Sequence, residues 1–252
     1  MKSDISKILI LILCWMAANV PAQTGPGPAP ALEYYKAALS MHRAGKFPEA
    51  IEGFKKSLEL ERTVRTLVAL GLSFVESGQL TEAMDAADEA LELSPDDPEV
   101  YILLGALHDK EEAYDRAADA YKTALRLRPD LFLANSRLGS SLVRAGRARE
   151  GVKPLERAAI IKPGDAIVQN DLGCAYSLIH RYAKAISSFN RAIELDPGFN
   201  LARFNLAEAL QETGDRKFAI EQYAILKSQD PELAARLFAK LFGGKIVSVK
   251  QP

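Results

Sequence analysis

The sequence predicts an all-α fold, an α-solenoid of six helical hairpins closed by one further helix. Three observations carry that prediction. Residue types recur at a step of 34: Pro95, Pro129, Pro163, Pro197 and Pro231 form one column, Gly71, Gly105, Gly139, Gly173 and Ala207 a second, and Ala83, Ala117, Gly151, Ala185 and Ala219 a third. Inside each period the apolar residues keep helical spacing on both sides of a polar break, as with Leu172, Ala175, Tyr176 and Ile179 before His180-Arg181 and Ala183, Ile186, Phe189, Ala192 and Ile193 after it. Proline then closes the period, where a helix has to stop because the ring has no N–H to donate and clashes with the preceding turn. Two helices of about 13 residues joined by a tight turn fit one period.

At the N-terminus, Lys2 and Lys7 precede an apolar run of 11 residues, Ile8 to Ala18, and NVPAQ follows. This is the layout of a secretory signal peptide over residues 1–22, with Val20 and Ala22 placed for cleavage after Ala22. A permanent span needs about 20 apolar residues, so this run is short for one. The expected location is exported, periplasmic or secreted; the alternative is a membrane tether made of the uncleaved segment. Cleavage removes Lys2, Lys7 and Asp4, moves the formal charge from −1 to −2, and leaves Cys174 as the sole thiol. No intramolecular disulfide is then available, and the absence of an Asn-x-Ser/Thr sequon favours a bacterial periplasm.

Residues 23–30, QTGPGPAP, read as a Pro/Gly-rich linker. Six units follow, at 31–63, 64–97, 98–131, 132–165, 166–199 and 200–231. The first is one residue shorter, with Ser57 in an alanine column and Arg62 where proline recurs, departures expected of an end unit. Residues 232–242 supply a capping helix, with Asp230 as N-cap, Pro231 at the first helical position, and Leu233, Leu237, Leu241, Phe238 and Phe242 on one face to cover the last hairpin. The tail, 243–252, is expected to be flexible or docked.

Several chemistries are excluded at this level. Lys and Arg number 32 against 33 Asp and Glu, too even a balance for a protein that binds a phosphate backbone by releasing counterions, so no nucleic-acid partner is expected. Cys174 and His180 invite a thiol–imidazole reading, but six residues along a helix leave two side chains about 120° apart around the axis and about 9 Å apart along it. His180 stands in the column that elsewhere reads Gly45, Gly78, Gly146 and Gly214, which assigns it to the turn. His42, His108 and His180 lie in three different units at three different slots, so they cannot converge on a metal. Asp96-Asp97 and Glu111-Glu112 read as solvated helix ends, and the Gly243-Gly244-Lys245 stretch lacks the rest of a phosphate loop. Neither catalytic residues nor a cofactor is expected, and His108 is assigned to the core.

The repeating pattern resembles the tetratricopeptide repeat. Its slots read Leu172-Gly173, Tyr176, Ala185, Phe189, Ala192 and Pro197 in the fifth unit and Leu104-Gly105, His108, Ala117, Tyr121, Ala124 and Pro129 in the third. The resemblance implies a right-handed solenoid whose concave groove, lined by the first helix of each hairpin, binds an extended peptide or a partner helix. At repeat position 5 the implied groove residues are Tyr35, Val68, Ile102, Ser136, Asn170 and Phe204; at position 9 they include Leu39, Leu72, Ser140, Cys174 and Glu208. The first three units then offer apolar side chains and the last three a mixed polar set. The carboxylate-gripping subgroup of the family uses Lys at position 5 and Asn at position 9, which no unit here has. The function implied is that of a scaffold or adaptor for a protein or peptide partner. Self-association into a homo-oligomer, through the capping helix or the groove, is the alternative.

Overall fold

The structure is a computed structural model that describes residues 30–242. The expected signal segment, the linker except Pro30, and the tail from 243 lie outside the described residues. Among those described there are thirteen α-helices and no strand. The helices are α1 (Pro30–Arg43), α2 (Phe47–Leu60), α3 (Val64–Ser77), α4 (Leu80–Leu93), α5 (Pro98–Lys110), α6 (Tyr114–Leu127), α7 (Phe132–Arg144), α8 (Ala148–Ile161), α9 (Ala166–Leu178), α10 (Tyr182–Leu195), α11 (Asn200–Glu212), α12 (Arg216–Gln229) and α13 (Pro231–Phe242). Pro30 is therefore the first residue of α1 rather than the last of a linker, in keeping with proline's preference for a helix start.

The chain forms two compact units that divide within α7, one up to Arg137 and one from Leu138. In the first, α1 pairs with α2, α3 with α4 and α5 with α6. The second helix of one hairpin also packs on the first of the next (α2 on α3, α4 on α5), and first helices lie side by side (α1 with α3, α3 with α5). The second unit repeats the scheme from α8 onward, and α13 closes it by packing on both α11 and α12.

Each sequence column has a local physical cause. Every hairpin turn contains one left-handed residue, at φ between 59° and 83°: Gly45, Gly78, Glu112, Gly146, His180 and Gly214. His180 thus takes the turn role its column assigns, although an L side chain adopts this conformation at some cost. Side-chain caps start several first helices: Thr63 accepts from the Thr66 N–H, Asp97 from Glu99, Asp165 from Val168, and Asp230 from Leu233 at 3.0 Å, as expected for the capping helix.

The glycine column makes room for a bulky partner. A Cβ on Gly105 would lie 2.5 Å from Cε1 of Tyr121, and one on Gly173 the same distance from Cε1 of Phe189. Tyr121 and Phe189 are among the largest fully buried side chains, so the two helices of a hairpin close over an aromatic ring because one of them has no side chain there. Gly139 faces Leu155 in the same way. His108 differs from expectation: its side chain is 17% exposed and its Nδ1 lies 3.0 Å from the Glu111 carboxylate, which keeps the ring at the helix edge.

Candidate functional site

The implied groove residues separate by burial. In the first unit Tyr35, Leu39, Val68, Leu72, Ile102 and Ser136 are all at most 3% exposed. The apolar ones belong to the packed core, and the Tyr35 hydroxyl is buried without a hydrogen-bond partner, its titration pushed up to about 12 by burial. In the second unit Asn170 and Phe204 are buried, whereas Ser140, Cys174 and Glu208 stay half-buried, one on each of three successive first helices.

Polar side chains link these helices. The Ser140 hydroxyl of α7 donates to the Asp171 carboxylate of α9. The Asn205 amide of α11 donates to Asn170 Oδ1 at 2.9 Å and points its N–H at Cys174 Sγ at 3.4 Å. Glu208 pairs with Lys240 of α13. The line Ser140–Asp171, Asn170–Asn205–Cys174, Glu208–Lys240 therefore presents hydrogen-bonding groups along the first-helix face of the second unit. Asp171 and Asn205 both occupy repeat position 6, one residue past the slots from which the groove was read. Their reach across to the neighbouring helix depends on how the helices pack, which the repeat pattern does not specify.

Cys174 and His180 have separate partners. Burial, then the negative Asp171 and Glu208, push the Cys174 thiol up to about 12, so it is scarcely ionised at neutral pH and is a poor nucleophile. His180 Nδ1 lies 2.8 Å from the Tyr182 hydroxyl in the turn. Among the described residues no cluster of three or more His, Cys, Asp or Glu side chains could hold a metal, and no helix is long and apolar enough to cross a membrane.

Two buried titrating groups in the first unit give it opposed pH responses. His42 is 1% exposed and its Nδ1 lies 2.8 Å from Ser73 Oγ. The Ser73 hydroxyl already donates to the Ala69 carbonyl, so the ring must be the donor from Nδ1–H. Burial, then Arg43, lower the His42 pKa from 6.5 to about 4. The unfolded chain binds this proton first, so the associated stability is complete above pH 6.5 and is lost as pH falls toward 4, a loss on the order of 3 kcal/mol.

Glu99, 7% exposed and 3.4 Å from Arg128, runs the other way: burial raises its pKa from 4.5 to about 7, so its contribution is present below 4.5 and is lost as pH rises through 7. The two slopes oppose between pH 4.5 and 6.5. Urea unfolding of Glu99→Gln should therefore lose about 3 kcal/mol more stability than the unaltered protein between pH 7 and 4. Equal pH profiles in the two proteins would refute the assignment to Glu99.

The comparisons with known proteins agree with this architecture. Models of the TPR repeat match residues 71–111, and models of the tetratricopeptide repeat match 102–166 and 166–199. The chain is 28% identical over 154 residues to anaphase-promoting complex subunit 3 of Schizosaccharomyces pombe, a match covering 61% of this chain and 23% of that protein. It is 30% identical over 160 residues to the peroxisomal targeting signal receptor of Candida albicans, covering 59% and 27%. It thus spans about a quarter of the length of these relatives. Among solved structures, Pseudomonas aeruginosa pilF superposes with a TM-score of 0.73 at 15% identity, over 84% of this chain and 97% of that one. The period of 34, the left-handed turn residue in every hairpin and the matched models together establish that the chain belongs to the tetratricopeptide repeat family.

Proposed function

We propose that this protein is a non-catalytic interaction module that holds a peptide or helix of a protein partner on the first-helix face of its second unit. The observation that carries the reading is the partial exposure of Ser140, Cys174 and Glu208 on successive helices, joined by a line of side-chain hydrogen bonds. Such a face offers directional contacts to a backbone laid across it. The nearly complete burial of Leu39, Val68, Leu72 and Ile102 favours the second unit's face over the apolar half of the implied groove. Relatives that are a subunit of a multiprotein complex and a receptor for a targeting signal support a role in protein recognition. The N-terminal segment, with its basic start and short apolar run, supports action outside the cytoplasm on an envelope or secreted partner.

The test is substitution on the face. Ser140→Arg and Cys174→Arg place a long charged side chain at half-buried slots, and each should reduce capture of partners from an envelope extract at least tenfold. Ile160→Arg, at a residue of α8 that is 66% exposed, should leave capture unchanged. Loss with Ile160→Arg and retention with the other two would move the binding surface to the second helices.

A further inference from the structure

Phe204 and Glu208 stand one turn apart on α11, and both are engaged by α13. The Arg236 guanidinium carbon lies 5.4 Å from the Phe204 ring centroid, Lys240 Nζ lies 5.3 Å from the same centroid, and Lys240 also pairs with Glu208. These are cation–π distances. Two like charges four residues apart on one helix repel, so their convergence on a single ring reflects what that ring and the neighbouring carboxylate offer.

The helix does not need these contacts for its seat. Leu233, Ala234, Leu237 and Leu241 are buried and anchor α13, while Arg236 and Lys240 are exposed, the Lys240 side chain to 58%. Phe204 by contrast is only 4% exposed, a member of the second unit's core with the two cations set against its ring. An aromatic face and a carboxylate one turn away form a receptor for a basic side chain, and here the chain supplies the basic side chains itself.

We propose that Phe204 and Glu208 form a recognition site for basic side chains, that Arg236 and Lys240 occupy it as an internal ligand, and that a partner peptide with Arg and Lys one helical turn apart binds by displacing them. This deepens the reading of the first-helix face as a peptide-binding surface and rests on it. Displacement requires only that two exposed side chains swing away, with the buried leucines of α13 left in place. The site rejects acidic segments, because Glu208 repels them and the ring presents its negative face.

The experiment uses the full chain and a fluorescein-labelled, acetylated twelve-residue Ala/Gln helix peptide with Arg and Lys four residues apart; the control replaces both with Glu. Binding is followed by fluorescence anisotropy. The double variant Arg236→Ala/Lys240→Ala should bind the dibasic probe at least tenfold more tightly than the unaltered protein, and adding Glu208→Gln should abolish the gain. Arg236→Met/Lys240→Met, which keeps the side-chain stems packed, should behave like the alanine pair and serves if the latter melts early. An unchanged affinity in a double variant with unaltered helicity overturns the proposal, as does equal binding of the diglutamate control. Failure of the broader reading shows elsewhere, as partner capture that Ser140→Arg and Cys174→Arg leave intact.

Discussion

Leu72→Glu will unfold the first unit. Leu72 is fully buried on α3, in a core that includes Leu67, Val68, Ile102 and Leu103. A glutamate there must either bury its charge or take up a proton against its normal pKa, because the site has no access to solvent. The expected cost is about 4 kcal/mol or more, beyond the range of ordinary substitutions. In a repeat array each hairpin is stabilised mainly by its neighbours, so a defect at α3 also weakens the hairpins on either side. Circular dichroism against urea should show the first unit lost at low denaturant while helical signal from the second persists. An unaltered melt would mean that Leu72 reaches solvent and would restore it to the binding surface.

The second large effect is at Gly173. Alanine is the better helix former, so an exposed glycine on a helix gains up to about 1 kcal/mol from this change. Here the new Cβ would lie 2.5, 2.6 and 2.9 Å from three atoms of the Phe189 ring, which is 1% exposed and has nowhere to go. Overpacking of this kind costs about 1–3 kcal/mol and outweighs the propensity gain. Gly173→Ala should therefore destabilise the second unit by about 2 kcal/mol. In a Phe189→Ala background, which removes the ring that faces Gly173, the penalty should fall below about 1 kcal/mol, a coupling that a double-mutant cycle in urea would measure. Additive effects in that cycle would show that the ring is not what excludes the side chain.

These two sites also show which parts of the structure were legible in the sequence. Gly173 was readable because repetition isolates it: five units place a small residue at the same step, and only close backbone approach explains such a column. The turn role of His180 was readable for the same reason, from the glycines that share its slot. The repeat pattern places Leu72 on its helix and at its repeat position but does not encode its degree of burial. Periodicity tells which way a side chain points along its own helix, whereas burial depends on what lies opposite. The hydrogen bonds that Asp171 accepts and Asn205 donates, and the two cations that α13 lays over Phe204, escape for a related reason. They connect residues 31 to 36 positions apart across helix pairs, and no pattern within one period encodes them.

The repeats thus account for the scaffold, while the candidate site arises where half-buried polar residues interrupt it. In the proposed reading, Ser140, Cys174 and Glu208 are the slots a ligand reaches, because they are only half-buried. The weak reactivity expected of the Cys174 thiol makes it a poor handle for attaching a probe at neutral pH. Leu178, at the C-terminal end of α9 and 58% exposed, is the better handle.

Photo-crosslinking from that residue is the most direct test of partner binding by the first-helix face. With p-benzoylphenylalanine at Leu178, irradiation in the native cell should join the chain to a discrete partner, and the same group at Ile160 on α8 should not. A crosslink from Ile160 with none from Leu178 would contradict the account.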